Sequence, residues 1–147
     1  MNALLSLIKS IQTQSNLLLE SLAQEKKALD NKSFDELTEL APIKQQIIER
    51  LNALEQQCTT ECSNKNIDEF IKNSNDSQLR STWDNTQTIL KNCRQQNEVN
   101  GLLINRHSKV NQDILCILSG NQQQPGQTYN AQGNQTSNNS ILNNIEA

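Results

Sequence analysis

Residues 1–30 place their seam positions in alternating steps of four and three: Leu4, Ile8, Ile11, Ser15, Leu18, Leu22, Glu25 and Leu29. That spacing puts every one of these positions on one face of a helix and matches the seam of a coiled-coil-like packing. Leu5 and Leu19 widen the stripe, and no Gly or Pro interrupts it. One long helix is therefore expected, ending near Asp30-Asn31-Lys32. The rest of the chain must supply long partners for it.

Composition points the same way. Of the 147 residues, 34% are hydrophobic and 3% aromatic, while Asn and Gln make up about a quarter. A thick sandwich or an α/β core needs more apolar material than this; a narrow seam between long helices needs less. The net charge of -3 and the absence of a basic block argue against a nucleic-acid partner. Apolar runs such as Leu17-Leu18-Leu19 are too short to span a bilayer. MNALLSLIKS lacks a charged leader followed by a continuous apolar core, so no secretory signal is expected and the expected compartment is the cytoplasm.

Ser33-Phe34-Asp35-Glu36 reads as a capping box opening a second helix that runs to about Cys62. Its stripe is Leu37, Leu40, Ile47, Leu51, Leu54 and Cys58, with Ile43 and Ile48 beside it. Pro42 should kink this helix or split off its first turn or two. The short connection makes the first two helices antiparallel neighbours. Residues 63–78 read as a polar loop with a short helical piece from Ile67 to Ile71.

A last long helix should start near Asp76-Ser77 and run to Ser119-Gly120. Its stripe includes Leu79, Trp83, Thr86, Leu90, Cys93, Asn97, Asn100, Ile104, Asn111, Ile114 and Leu118. At roughly 63 Å, it is expected to lie along both other helices. The fold class expected is all-α: a long antiparallel helical hairpin plus a long third helix, as an up-down, coiled-coil-like bundle over residues 1–120. Residues 121–147 carry one charge, Glu146, and are expected to form a mostly disordered polar tail. Their apolar residues Ile141, Leu142 and Ile145 share one face of a weakly amphipathic end.

Asn97 and Asn100 occupy seam positions where apolar residues are expected, and Gly101 follows inside the helix. Two readings stand. The asparagines fix register in the bundle while Gly101 permits a close crossing; or they line a polar groove that bonds a partner's backbone. The four cysteines, Cys58, Cys62, Cys93 and Cys116, lack the spacing of a zinc site even with His107, and read as reduced core residues. No nucleophile lies near a plausible base and no phosphate loop is present, so neither an enzyme nor a cofactor is expected.

Three blocks resemble the FlgN-type flagellar export chaperones. They are LLLESLAQEKKALDNKSFDELTELAPIKQQIIERL (residues 17–51), with its charged bend and Lys44; CRQQNEVNGLLINRHSKVNQDILCIL (residues 93–118), with Asn-x-x-Asn-Gly; and TYNAQG (residues 128–133). The resemblance implies a cytoplasmic chaperone of the flagellar type III system. Its partners would be hook–filament junction proteins and the cytoplasmic domain of the export gate. It would be a monomer or weak homodimer with no stable membrane insertion. The implied client-binding region is the last long helix and tail, where Leu90, Cys93, Asn97, Asn100, Gly101 and Ile104 would line part of a groove. Ile141, Leu142 and Ile145 would fold onto the client or cover the groove when empty. Tyr129, a lone tyrosine in a polar segment, would anchor the export gate. The alternative of another class is a structural coiled-coil adaptor that self-associates through its seam.

Overall fold

The computed structural model describes residues 2–119, with side chains through residue 106. The chain forms α1 (Asn2–Asp30), α2 (Phe34–Glu61), a short α3 (Ile67–Lys72) and α4 (Ser77–Ser119). No strand occurs among the described residues, and none of the described helices is long and apolar enough to cross a membrane.

All eight seam positions of α1, from Leu4 to Leu29, are buried. On α4 the seven from Leu79 to Asn100 are buried as well. Cys93 Sγ donates to Ser15 O at 3.3 Å, and Asn100 Nδ2 donates to Leu22 O at 2.9 Å. Both pairs are 78 residues apart, so α4 runs parallel to α1 in constant register. At that offset Asp30 aligns with residue 108. Residues 109–119 of α4 therefore continue past the end of α1 by about 16 Å.

The expectation that the last helix lies along both others needs correction. α1 packs lengthwise against α2 and against α4, while α2 and α4 make no comparable contact with each other. The reason lies in stripe width. α1 buries ten residues, including Ser21 and Ala28 beside the seam, enough for two neighbours. α2 buries only Ile47, Ile48, Leu51 and Cys58, enough for one.

Both ends of α2 are built without glycine. Lys32 takes φ 55°. Ser33 N–H reaches back to Ala28 O at 2.8 Å and Lys32 N–H to Leu29 O at 3.1 Å, a Schellman closure of α1. Ser63 and Asn64 repeat the pattern on Thr60 O and Thr59 O. The first closure explains why the capping box does not form. Ser33 N–H, the donor that Glu36 would meet, is already taken, and the Ser33 hydroxyl makes no cap hydrogen bond. α2 continues through Pro42 without interruption, with the ring on its exposed side.

The return from α2 to α4 is held by side chains. Asn66 Oδ1 caps α3 by accepting from Glu69 N, and Asp76 Oδ1 caps α4 by accepting from Leu79 N, both at 3.0 Å. Asp68 Oδ1 accepts from Trp83 Nε1 at 2.9 Å and from Gln87 Nε2 at 3.2 Å, clipping α3 onto α4 over the buried Trp83 ring. Its bond with Lys72 foremost, aided by Trp83 and Gln87, holds the Asp68 carboxyl below its usual range against the opposite pull of burial. The clip is thus charged at neutral pH and weakens only as pH falls through that lowered value.

Cys58, Cys62 and Cys93 are free and buried. Burial pushes the Cys58 and Cys93 thiols from 9.0 up to about 12. At pH 8 they should resist alkylation in the native state and react on unfolding, by mass spectrometry of the labelled chain. Because the folded values lie above the unfolded ones, the stability these thiols contribute is complete below pH 9. It should drain away between pH 9 and about pH 12 in chemical denaturation series.

Candidate functional site

Near the bend of the hairpin the seam turns polar. Glu25 of α1 and Lys44 of α2 face each other, with Lys44 Nζ 3.4 Å and 3.5 Å from the two carboxylate oxygens. Their side chains keep only 10% and 18% of their surface exposed. Two asparagines of α4 complete the shell. Lys44 Nζ donates to Asn97 Oδ1 at 2.7 Å, and Asn100 Nδ2 donates to Glu25 Oε1 at 2.9 Å while also bonding Leu22 O. Gln96 Nε2 then donates to Asn100 Oδ1 at 2.9 Å. All three long helices meet in this interlock.

A buried ion pair contributes little net stability, because desolvation offsets attraction. What it does contribute is register. A slipped helix would leave a charge or an amide buried without its partner, at several kcal/mol. Of the two readings of Asn97 and Asn100, the geometry therefore favours register over a partner-binding groove: their amides are already engaged within the chain. The close crossing expected at Gly101 is absent, since a Cβ there would meet nothing within 4 Å.

Leu90, Cys93, Asn97 and Asn100 thus sit buried against α1. Gly101 is half-buried and Ile104 is exposed. The groove envisaged along Leu90–Ile104 is filled by α1 over its lower part and opens only at the top. There Ile104 presents 44% of its surface, while Val99 and Leu102 are exposed on other faces of α4. Tyr129, Ile141, Leu142 and Ile145 lie outside the described residues. Among the described residues no cluster of His, Cys, Asp and Glu is arranged to hold a metal ion.

The stripe read from sequence omits the ion pair, although a signal for it exists. Lys44 lies four residues after Leu40 and three before Ile47, filling a missing seam position, and Glu25 already stands on the stripe of α1. Opposite charges on two adjacent seams mark a pair of this kind.

Lys44→Ala should cost about 2–3 kcal/mol in urea unfolding, less than for a fully buried pair because both groups retain some solvent. Adding Glu25→Gln should recover at least about 1 kcal/mol of that loss. Gly101→Ala, with open space for its methyl group, should raise stability by about 0.5–1 kcal/mol; a loss instead would mean that the glycine is needed for packing.

No curated protein and no solved structure matches this chain. The family described as FlgN protein matches residues 1–137, nearly the whole length and all four helices. The chain belongs to the FlgN family of flagellar export chaperones.

Proposed function

We propose that this protein is a cytoplasmic chaperone that holds the amphipathic terminal helices of hook–filament junction proteins and hands them to the cytoplasmic domain of the export gate. The observation that carries this reading is the overhang of α4. Its seam continues past the point where α1 ends, and apolar residues are exposed just below that point. Seam positions without a neighbouring helix are what an amphipathic client helix needs as a partner.

In this reading the client helix continues the line of α1 beyond Asp30, following Asn111, Ile114 and Leu118, with Gly101 and Ile104 flanking the last turns of α1 below its start. Leu90, Cys93, Asn97 and Asn100 support that surface from below and reach the client only where α1 yields. Ile141, Leu142 and Ile145 add a second apolar strip from the tail. Residues 1–120 form the holding unit and 121–147 the tether, with Tyr129 as the anchor on the export gate. A tyrosine suits an anchor because its ring offers a large contact area with few rotors, and its hydroxyl one directional bond. The protein acts as a monomer or weak homodimer, without a cofactor and without catalysis.

The test is calorimetric titration of the full chain with the C-terminal helix of a junction protein from the same genome. One-to-one binding with a negative heat-capacity change is expected. Ile104→Ser with Ile114→Ser should weaken it at least about tenfold, the equivalent of two partly buried aliphatic contacts. Tyr129→Ala should leave client affinity intact and weaken binding to the export-gate domain. Absence of client binding, together with stable oligomers in light scattering, would instead favour the self-associating adaptor.

A further inference from the structure

The side of the α1–α2 hairpin turned away from α4 is open. A groove of about 420 Å³ runs between the two helices there, bounded by Ser10, Thr13 and Gln14 of α1 and by Arg50, Ala53 and Leu54 of α2. Leu17 follows Gln14 and Thr13 at helix spacing on the same face and is 43% exposed. Ile43 lies one helical turn before Ile47 and two before Arg50 on the facing helix, and is also exposed. Two acceptors on this face of α1, Gln14 Oε1 and Ser21 Oγ, are buried without a hydrogen-bond partner among the described residues. Such atoms are rare in folded chains because each costs roughly 1–3 kcal/mol. The groove combines apolar lining from Ala53 and Leu54, the unsatisfied Gln14 Oε1 and one charged lining residue, Arg50.

We infer that this groove is the resting place of residues 141–146 of the same chain. The segment Ile141-Leu142-Asn143-Asn144-Ile145-Glu146 carries the complement of each feature. Ile141, Leu142 and Ile145 form one strip at helix spacing, matching the apolar lining of Ala53 and Leu54 and the exposed Leu17 beside it. The amide of Asn143 or Asn144 supplies a donor for Gln14. Glu146 is the sole charge after residue 120, and Arg50 is its opposite.

The chain is long enough. From Ser119, at the top of α4, the groove centre lies about 40 Å back along the hairpin. Residues 120–140 span up to about 70 Å when extended and about 25 Å on average as a coil. The segment therefore reaches the groove at moderate extension. The family match ends at residue 137, before this strip.

The same three aliphatic residues would then be withheld from other partners until the groove releases them. The inference does not rest on the chaperone reading, because the groove and the strip are both within this chain and the test contains no client.

The test places a benzoylphenylalanine photo-crosslinker at Ala53, an exposed position, in the full chain, with helix content by circular dichroism as the control for folding. Light- and heavy-isotope chains are mixed before irradiation. The expected product joins position 53 to residues 141–146 of the same isotope, in a yield that does not change on dilution. Arg50→Glu should lower that yield about two- to fivefold, as for loss of an exposed ion pair, and Glu146→Arg should restore it in the Arg50→Glu chain. Mixed-isotope products that vanish on dilution would overturn the inference in favour of a second copy in the groove. Same-chain products that avoid residues 141–146, or no tail product at all, would also overturn it.

Discussion

Everything in this fold depends on the seam of α1 being shared. A helix with a single narrow stripe can satisfy one neighbour. α1 has a full heptad seam from Leu4 to Leu29 and a flank of Ser21 and Ala28, so it can lie between two. α2 covers one flank and α4 the other, and neither needs the other to be buried. The low hydrophobic content of 34% is sufficient for this reason: one stripe serves twice. It also leaves the fourth side of the hairpin open, with Leu17 and Ile43 at its surface.

Sharing a seam creates a register problem, since a heptad pattern is nearly as well matched after a slip of seven residues. The interlock of Glu25, Lys44, Asn97 and Asn100 settles it. Leucine against leucine is tolerant of such a slip; Asn100 bonding Leu22 O and Glu25 together is not. The cost of polar atoms in the seam is moderate here because the interlock is closely bonded, down to Gln96 on Asn100. The interlock also ties α2 to α4 through one long lysine where their apolar faces do not meet.

Much of this is legible in the residues. The steps of four and three place the seams of α1 and α4, and Ser119, Asp30 and Ile67 bound helices where the sequence pattern puts those bounds. Pattern reading works for such positions because burial on a helix depends on local periodicity alone. It fails where two helices jointly decide. The capping box at Ser33 is chemically sound, yet the end of α1 has already taken the Ser33 N–H. Lys44 escapes notice because a lysine on an apolar stripe gains sense only beside Glu25 on another helix. Asn97 and Asn100 can be read two ways until their partners are in view. For the same reason, the candidate client residues divide into a buried group and an exposed one only once α1 lies against them.

The position of the interlock bears on function as well as on stability. It sits at the top of the shared seam, just below the stretch of α4 that α1 does not cover. Were α1 and α2 to slide upward by one heptad, leucines would still meet leucines, and seven more residues of α4 would gain a neighbour. Glu25 would lose Asn100, and Asn97 would lose Lys44, leaving polar groups stranded in the seam at several kcal/mol. Sliding is therefore opposed at the one place where it would be rewarded by hydrophobic burial. A bundle that only had to be stable would complete its seam with leucine. A polar stop at this height holds the hairpin in register and keeps it from closing over the part of α4 beyond residue 108.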